Sequence, residues 1–174
     1  MGSGADGIVT ALKEAGMDTL FGIPSIHNIR LYEALREEPA IRHILCRQEA
    51  TATNMADGYA RAGNRLGVVA ASTGPGTGYV VPAIQEAWGS SSPVLLITTN
   101  IHAPKIGQGL GVLHELEDQD GLFKNITKAR IKVRRLVGAN TEYAVTFDDD
   151  CDRCGICARH CPYDALIQVK AKGA

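Results

Sequence analysis

The sequence lacks long apolar runs, a strong net charge and a recognisable secretion signal. No run approaches the roughly 18 apolar residues that a membrane-spanning helix needs, so we expect no membrane contact. The formal net charge is −1, which gives no argument for nucleic acid or an anionic membrane surface as a partner. The opening stretch MGSGADGIVTALKEAG lacks the basic and then apolar layout of a signal peptide.

Cysteine is almost absent outside one short stretch. Four of the five cysteines lie within residues 151–161, and the fifth, Cys46, lies far upstream. A disulfide framework would spread its cysteines over a small, loop-rich chain, whereas 45% of this chain is hydrophobic, which is enough for a packed core. We therefore expect a reducing, cytoplasmic setting.

Short apolar runs alternate with segments of helical periodicity through the first hundred residues. The runs are almost wholly apolar, as expected of parallel strands covered on both faces, and they lie at 18–23, 41–46, 66–72 and 93–99. The helical segments lie at 5–15, 26–36, 49–61 and 78–89. This alternation predicts an α/β fold with a doubly wound, mostly parallel sheet.

The pattern loosens after residue 99. HELEDQDGLF (114–123) predicts a short acidic helix, and residues 127–137 predict an edge strand. GANTE (138–142) marks a boundary, and strands are predicted at 143–147 and 165–170, on either side of the cysteine run. We therefore expect one domain over residues 4–137 and a small α+β ferredoxin-like module over residues 138–174.

The cysteine run, CDRCGICARHCP, has the spacing of a bacterial ferredoxin. C-x₂-C-x₂-C-x₃-C-P is the pattern of 4Fe–4S ligands, whereas zinc sites usually present two separated cysteine pairs. The predicted cluster ligands are Cys151, Cys154, Cys157 and Cys161.

The fourth cysteine of the run raises a difficulty, because in two-cluster ferredoxins it ligates the other cluster and this chain has a single run. Three solutions are open. Cys161 closes its own cluster, or Cys46 is the fourth ligand, or two chains pair and exchange Cys161. We favour the exchange.

Three loops follow the first three predicted strands, where ligands bind in sheets of this kind. Their sequences are FGIPSIHN, CRQEATATNMADGYAR and STGPGTGY. With GADGIVTALKEAGMDTLFGIPS and LGVLHELEDQDGLFKNITKARIKV, they resemble the N-terminal pyrimidine-binding domain of thiamine-diphosphate enzymes. The resemblance is nearest to the acetolactate synthase and 2-oxo acid decarboxylase group, and it covers roughly residues 4–133.

The resemblance implies roles for particular residues. Glu49, in RQEATA, matches the carboxylate that activates the aminopyrimidine ring of the cofactor, although a first-turn glutamate is also favoured by the helix dipole alone. The matching cofactor-binding positions are Gly22, Ile23, Pro24, Thr73, Gly74, Pro75 and Gly76. Ser25 and Gln48 depart from the family, which often has glycine and histidine there.

Three histidines remain as candidates for a substrate pocket or for surface and capping positions: His27, His102 and His114.

The family's diphosphate-binding signature, GDG with paired asparagines downstream, is absent from the sequence. We therefore expect a partner subunit to supply the diphosphate site and its Mg²⁺, in a homo- or hetero-oligomer. The expected function is a subunit of a split thiamine-diphosphate-dependent 2-oxo acid decarboxylase or oxidoreductase, whose cluster passes electrons to a redox partner. The alternatives are a non-catalytic iron–sulfur electron carrier and a chimeric or truncated synthase fragment.

Overall fold

The computed structural model describes residues 3–135 and 143–147, with the backbone alone described at 134–135 and 143–147. The cysteine run at 151–161 and the strand predicted at 165–170 lie outside the described residues. Helices and strands alternate, in the order α1 (Gly4–Glu14), β1 (Thr19–Gly22), α2 (Ile29–Arg36), β2 (Arg42–Leu45), α3 (Glu49–Gly63), β3 (Gly67–Ala71), α4 (Pro75–Gly89) and β4 (Val94–Thr98). Two short 3₁₀ helices, Ala103–Lys105 and Asp120–Phe123, precede β5 (Ile131–Arg135) and β6 (Tyr143–Phe147).

Strands β1 to β4 form one parallel sheet in the order β2-β1-β3-β4. Phe21 of β1 pairs with Ile44 of β2 and with Val69 of β3, and Val69 pairs with Leu96 of β4. The predicted α/β fold with a parallel sheet is therefore confirmed.

The helices cover the sheet on both faces, because neighbouring residues of a strand point to opposite sides. Leu20 and Val68 pack with the apolar residues of α1 and α2, including Leu12 and Leu35. On the other face, the next residue of each strand packs against α3, as Phe21 and Val69 do with Ala52 and Ala56. The result is three layers, helix–sheet–helix.

Three helix starts differ from the sequence prediction. Helix α2 begins at Ile29, three residues after the predicted start, because residues 26–28 form a turn. Helix α1 begins at Gly4 because Ser3 caps it, with its hydroxyl accepting from the backbone N–H of Asp6 while the Asp6 carboxylate accepts from the N–H of Ser3. Helix α4 begins at Pro75, three residues before the predicted start, because proline suits the first position of a helix.

The acidic helix predicted at 114–123 is wrong. His114 has φ +66°, a left-handed conformation that interrupts a helix, and only the 3₁₀ helix Asp120–Phe123 forms. The Asp118 carboxylate accepts from the backbone N–H of Gly121 at 2.9 Å and so starts this short turn.

Helix α3 lies unusually close to strand β3 at Gly67. A Cβ atom at this glycine would overlap the carbonyl oxygen of Ala56 and lie 3.2 Å from the Ala56 Cα. Only glycine allows this approach, so it sets the height of α3 above the sheet.

Strand β5 pairs antiparallel with β6 in a two-stranded sheet of its own, with Val133 opposite Val145. Strand β4 is an edge of the parallel sheet within the described residues, and each of its five residues is partly exposed. No helix among the described residues is both long enough and apolar enough to cross a membrane.

Candidate functional site

The candidate site lies at the carboxyl-terminal edge of the parallel sheet. Strand order reverses between β1 and β3, and in open α/β sheets ligands bind in the crevice that this reversal leaves. The loops after β1, β2 and β3 leave the sheet at this edge, and helices α3 and α4 begin beside it.

Glu49 is the first residue of α3, directly after the loop that leaves β2. Its side chain is half-buried against the first turn of α4, where a Cβ atom on Gly76 would lie 3.2 Å from Oε1 of Glu49. The same Cβ would lie 3.0 Å from Cβ of Ser72. A glycine at position 76 therefore leaves room for the carboxylate between the two helix starts.

The loop after β1 is joined to the loop after β3 by two hydroxyls. The Ser25 hydroxyl donates to the Ser72 hydroxyl at 2.8 Å, and Ser72 is 6% exposed. Buried Asn28 holds the β1 loop in shape, since its Oδ1 accepts from the N–H of Ser25 at 2.6 Å and its Nδ2 donates to the carbonyl of Ile23 at 3.1 Å. Ser25, where the family often has glycine, thus has a defined contact.

Gly74 adopts φ +60°, which strongly favours glycine, and it precedes the first residue of α4. The backbone of His114 lies directly over it, because a Cβ on Gly74 would overlap the His114 carbonyl oxygen. The segment around residue 114 therefore covers the glycine loop.

A single buried side chain, Gln119, fixes this covering segment. Its Oε1 accepts from the hydroxyl of Thr73 at 2.7 Å and from the backbone N–H of Gly74 at 3.0 Å. Its Nε2 donates to the carbonyl of Thr99 at 2.8 Å and to the hydroxyl of Thr98 at 3.3 Å. Gln119 thus connects the loop after β3 with the end of β4.

Two of the three candidate histidines meet at the site. The rings of His27 and His114 lie with centroids 5.2 Å apart and planes tilted by 35°. Nδ1 of each ring is buried and has no hydrogen-bond partner among the described residues. His102 is exposed, in the loop before the first 3₁₀ helix.

The hydroxyl of Tyr32, on α2, is a further buried polar group at this edge, in addition to Nδ1 of the two histidines. A Cβ atom on Gly22 would overlap the Tyr32 hydroxyl. This hydroxyl has no hydrogen-bond partner among the described residues. Burial raises the pKa of Tyr32, and the neighbouring Cys46 and Glu49 raise this pKa further. Tyr32 is therefore a neutral phenol at physiological pH.

The structure brings together at one edge of the sheet the candidates that follow β1, β2 and β3, and it buries Thr73 and Gly76 among them. Gln119, Asn28 and Tyr32 were not among the site residues predicted from the sequence. Nothing in the local sequence distinguishes Gln119, which stands among acidic residues in the segment predicted as a helix. Its importance comes from contacts with residues about 20 and 46 positions away.

Comparison with known proteins gives two family matches. Residues 2–122 match the family described as thiamine pyrophosphate enzyme, N-terminal TPP binding domain. Residues 144–167 match the 4Fe-4S binding domain. Thiamine pyrophosphate is thiamine diphosphate, so both resemblances found in the sequence are confirmed.

Individual relatives match the same part of the chain. A probable 2-ketoarginine decarboxylase of Pseudomonas aeruginosa is 43% identical over 120 residues, which is 69% of this chain and 21% of that protein. Acetolactate synthase large subunits of Lactococcus lactis and, as a probable assignment, Methanocaldococcus jannaschii are 34% and 36% identical over 132 residues, which is 76% of this chain and 22% of each protein. The chain thus spans about a fifth of the length of these relatives.

Proposed function

The chain belongs to the thiamine pyrophosphate enzymes, through their N-terminal domain, and from this we propose that it is a subunit of a thiamine-diphosphate-dependent 2-oxo acid decarboxylase or oxidoreductase with an iron–sulfur module. The observation that carries the proposal is the position of Glu49 at the start of α3, facing a glycine at the start of α4.

The residues at this edge fit the aminopyrimidine end of the cofactor. Gly76 leaves the Glu49 carboxylate room to turn toward a bound ring, and Gly74 lets the backbone of His114 close over the same loop. The cofactor-holding positions that we propose are Gly22, Ile23, Pro24, Thr73, Gly74, Pro75 and Gly76. When bound, thiamine diphosphate supplies a nucleophilic carbon and an electron sink for 2-oxo acid chemistry.

Glu49 has the central role in the proposed chemistry. Its carboxyl group would share a proton with a ring nitrogen of the aminopyrimidine, which polarises the ring. The partly buried hydrogen bond between Ser25 and Ser72 and the hydrogen bonds of Gln119 would keep the flanking loops fixed around that carboxyl group. Such fixed surroundings preorganise a site for catalysis.

A partner is part of the proposal, because the family's diphosphate signature is not in this sequence. The partner would hold the diphosphate through Mg²⁺ and complete the site in a homo- or hetero-oligomer. Large apolar side chains are exposed near the carboxyl-terminal edge of the sheet, namely Ile26 (75% exposed), Leu45 (67%) and Leu113 (63%). Exposed apolar groups of this size support an interface at the mouth of the site.

The iron–sulfur module would carry electrons away from the site to a redox partner. Four cysteine thiolates in this spacing are the donor set of a 4Fe–4S cluster, and we propose Cys151, Cys154, Cys157 and Cys161 as its ligands. The domains that we propose span residues 4–137 and 138–174, with the cysteine run in the second.

The experiment begins with capture of the tagged chain from its native source, so that any partner is retained. The complex is then tested for binding of thiamine diphosphate with Mg²⁺ and for 2-oxo acid turnover. We expect Glu49→Gln to abolish turnover, and Glu86→Gln, a change of the same type at an exposed position on α4, to leave turnover unchanged.

The rival function is a non-catalytic iron–sulfur electron carrier, which is favoured by a complete cysteine run beside an incomplete cofactor site. It would be established if the cluster forms and cycles between redox states while neither the chain nor its complex binds thiamine diphosphate.

A further inference from the structure

We propose, resting on the cluster assignment of the proposed function, that strand β5 is the docking strand of the iron–sulfur module. Residues 148–174, the part of the chain that carries the cysteine run, would cover the exposed apolar side of β5. The thiamine-type domain would thus supply one wall of the module through its last strand.

The sheet of β5 and β6 joins the two parts of the chain that match different families. The match to the thiamine pyrophosphate enzymes ends at residue 122, before β5, and the match to the 4Fe-4S binding domain begins at residue 144, within β6. The two strands pair over five positions, from Ile131 opposite Phe147 to Arg135 opposite Tyr143. The first strand of the iron–sulfur module is thus hydrogen-bonded to a strand that precedes the module.

The polar side of β5 faces the α/β domain. Nζ of Lys132 lies 3.2 Å from Oδ2 of Asp120, and Nη1 of Arg130 lies 3.8 Å from the same oxygen. Nη1 of Arg130 also donates to the carbonyl of Asp120 at 3.3 Å. Asp120 follows Gln119, whose side chain holds the N–H of Gly74, so β5 is attached to the segment that covers the glycine loop.

The opposite side of β5 is apolar and exposed. Successive residues of a strand point to opposite faces, so Ile131 and Val133 face away from the side of Lys132. Ile131 is 42% exposed and Val133 is 47% exposed. Their register partners are Phe147 and Val145, and partners in an antiparallel pair lie on the same face. One face of this small sheet therefore has apolar residues at four neighbouring positions.

Such a face calls for a cover. A strand at a protein surface usually turns its apolar side toward the core and its charged side toward water, and β5 has the reverse arrangement. A two-stranded sheet is also only marginally stable in water until a third strand or a helix packs against it. The apolar face of β5 and β6 is therefore a docking surface.

The following part of the same chain is the occupant that fits this surface. Cys151 comes four residues after Phe147, so the chain holds the two within about 14 Å of each other. The stretch ALIQV (165–169), after the last cysteine, adds apolar residues. An apolar wall also suits a thiolate-bound cluster, because the solvent exposure of a cluster helps to set its reduction potential.

The test compares the full chain with and without its cluster, which is built from iron and sulfide in the absence of oxygen. Hydrogen–deuterium exchange, read by mass spectrometry, measures the protection of the backbone amides. We expect cluster loading to slow exchange in β5 about tenfold, because the module folds around the cluster and closes on the strand. Strand β3, buried in the parallel sheet, should exchange equally in both states. Equal exchange of β5 in the two states would overturn the proposal.

A substitution on β5 gives a second measurement. Ile131→Thr keeps a β-branched side chain but removes part of the apolar surface. We expect it to speed the removal of iron by a chelator about tenfold, the effect of losing most of the burial of one apolar side chain. Ile106→Thr is the matched control, because Ile106 is 45% exposed and follows the first 3₁₀ helix. Equal rates for both variants would contradict the docking role.

Val133→Thr makes a similar change on the same face, and it replaces Ile131→Thr if that variant takes up no cluster. The exchange experiment needs no variant and decides the question in either case.

A second copy of the chain is the rival occupant of the face. Analytical ultracentrifugation of Ile131→Thr separates the two cases. Faster loss of iron at an unchanged mass would support docking of the module. A dimer that dissociates while iron leaves at the unaltered rate would assign the face to a second copy and overturn the proposal.

Failure of the docking strand is distinguishable from failure of the proposed function, because neither measurement uses thiamine diphosphate. A chain that builds a cluster without protecting β5 would lose the docking strand alone. A chain whose β5 responds to the cluster, in a complex that binds no thiamine diphosphate, would keep the docking strand and lose the proposed function. A chain that takes up no iron would overturn both.

Discussion

Oε1 of Gln119 accepts a hydrogen bond from the backbone N–H of Gly74 at 3.0 Å. The segment that carries Gln119 is thereby attached to the residue that precedes helix α4. The donor is buried, and it belongs to the helix N-terminus whose N–H groups have no partner within the helix. The bond therefore satisfies a group that water does not reach.

Replacement of Gln119 by leucine should destabilise the chain. The N–H of Gly74 and the hydroxyl of Thr73 would both lose their acceptor, and a buried unpaired group costs about 1–3 kcal/mol. Urea denaturation measures the free energy of unfolding. Gln108→Leu is the matched control, because Gln108 is exposed and should cost far less. Equal losses in the two variants would contradict the role of Gln119.

Two glycines in the first turns of α4 should respond differently to alanine. A Cβ atom on Gly78 would have no neighbour within 4 Å, so Gly78→Ala should stabilise the helix by about 0.5–1 kcal/mol. Gly76→Ala has the same helical advantage but presses on Glu49 and Ser72 at 3.2 and 3.0 Å. We expect Gly76→Ala to lose that gain and to weaken thiamine diphosphate binding by the partner complex, as measured by thermal unfolding and by cofactor titration.

Stability should depend on pH through Asp18. The hydrogen bond from the Tyr59 hydroxyl is the main cause that lowers the pKa of Asp18. A carboxyl group with a lowered pKa in the folded state stabilises the fold above its unfolded pKa, and this contribution is lost as the pH falls through the folded pKa. Tyr59→Phe should therefore destabilise the chain at pH 7 and much less in acid below the usual carboxyl range, as followed by denaturation at both pH values.

The control for this pH dependence is the same Tyr59→Phe change made together with Asp18→Asn. Without the titrating carboxyl group, the cost of losing the hydroxyl should be the same at both pH values. A pH-dependent cost that persists in that background would assign the effect to another group, since Arg65 also contacts both Tyr59 and Asp18.

The exchange of Cys161 between two chains predicts a coupled change in mass and iron content. Cys161→Ser should convert a dimer into monomers and lower the iron content, because each cluster loses one of four thiolates. Analytical ultracentrifugation and iron assay measure the two quantities. A monomeric unaltered chain with about four irons would exclude the exchange.

Cys46→Ala serves as the control for Cys161. Cys46 is 6% exposed and belongs to the core cluster that contains Ala52 and Val69, and its Sγ lies 3.7 Å from Sδ of the more exposed Met55. A cysteine in such surroundings acts as a small apolar residue, so its loss should leave the iron content unchanged. Loss of iron in Cys46→Ala would instead make Cys46 the missing ligand.

The sheet was predictable because its strands are short apolar runs between helices of clear periodicity. The runs around Phe21 and Val69 are buried on both faces of the sheet, and a run of consecutive apolar residues is typical of such strands. The start of α1 was predicted one residue late because glycine is a poor helix former, whereas the Ser3 cap makes Gly4 the first helical residue.

The site was predictable only where short motifs mark it. Glu49 and the glycines of STGPGTGY carry a local pattern, whereas the pairing of His27 with His114 depends on where two distant loops meet. The left-handed backbone of His114 has no signal in the acidic segment around it, so the same residues were predicted to be helical. Long-range contacts of this kind are set by tertiary packing rather than by local propensity.

Gly67 affects the position of the proposed catalytic carboxylate, that of Glu49, through its contact with helix α3. Glu49 and Ala56 are seven positions apart on helix α3, which corresponds to about 10 Å along its axis. The backbone of Ala56 packs directly against Gly67, which has no side chain. A side chain at position 67 would push the middle of α3 away from the sheet and tilt its first residue as well. The orientation of the Glu49 carboxylate therefore depends on a close contact in the middle of the helix, where residue 67 has no Cβ atom.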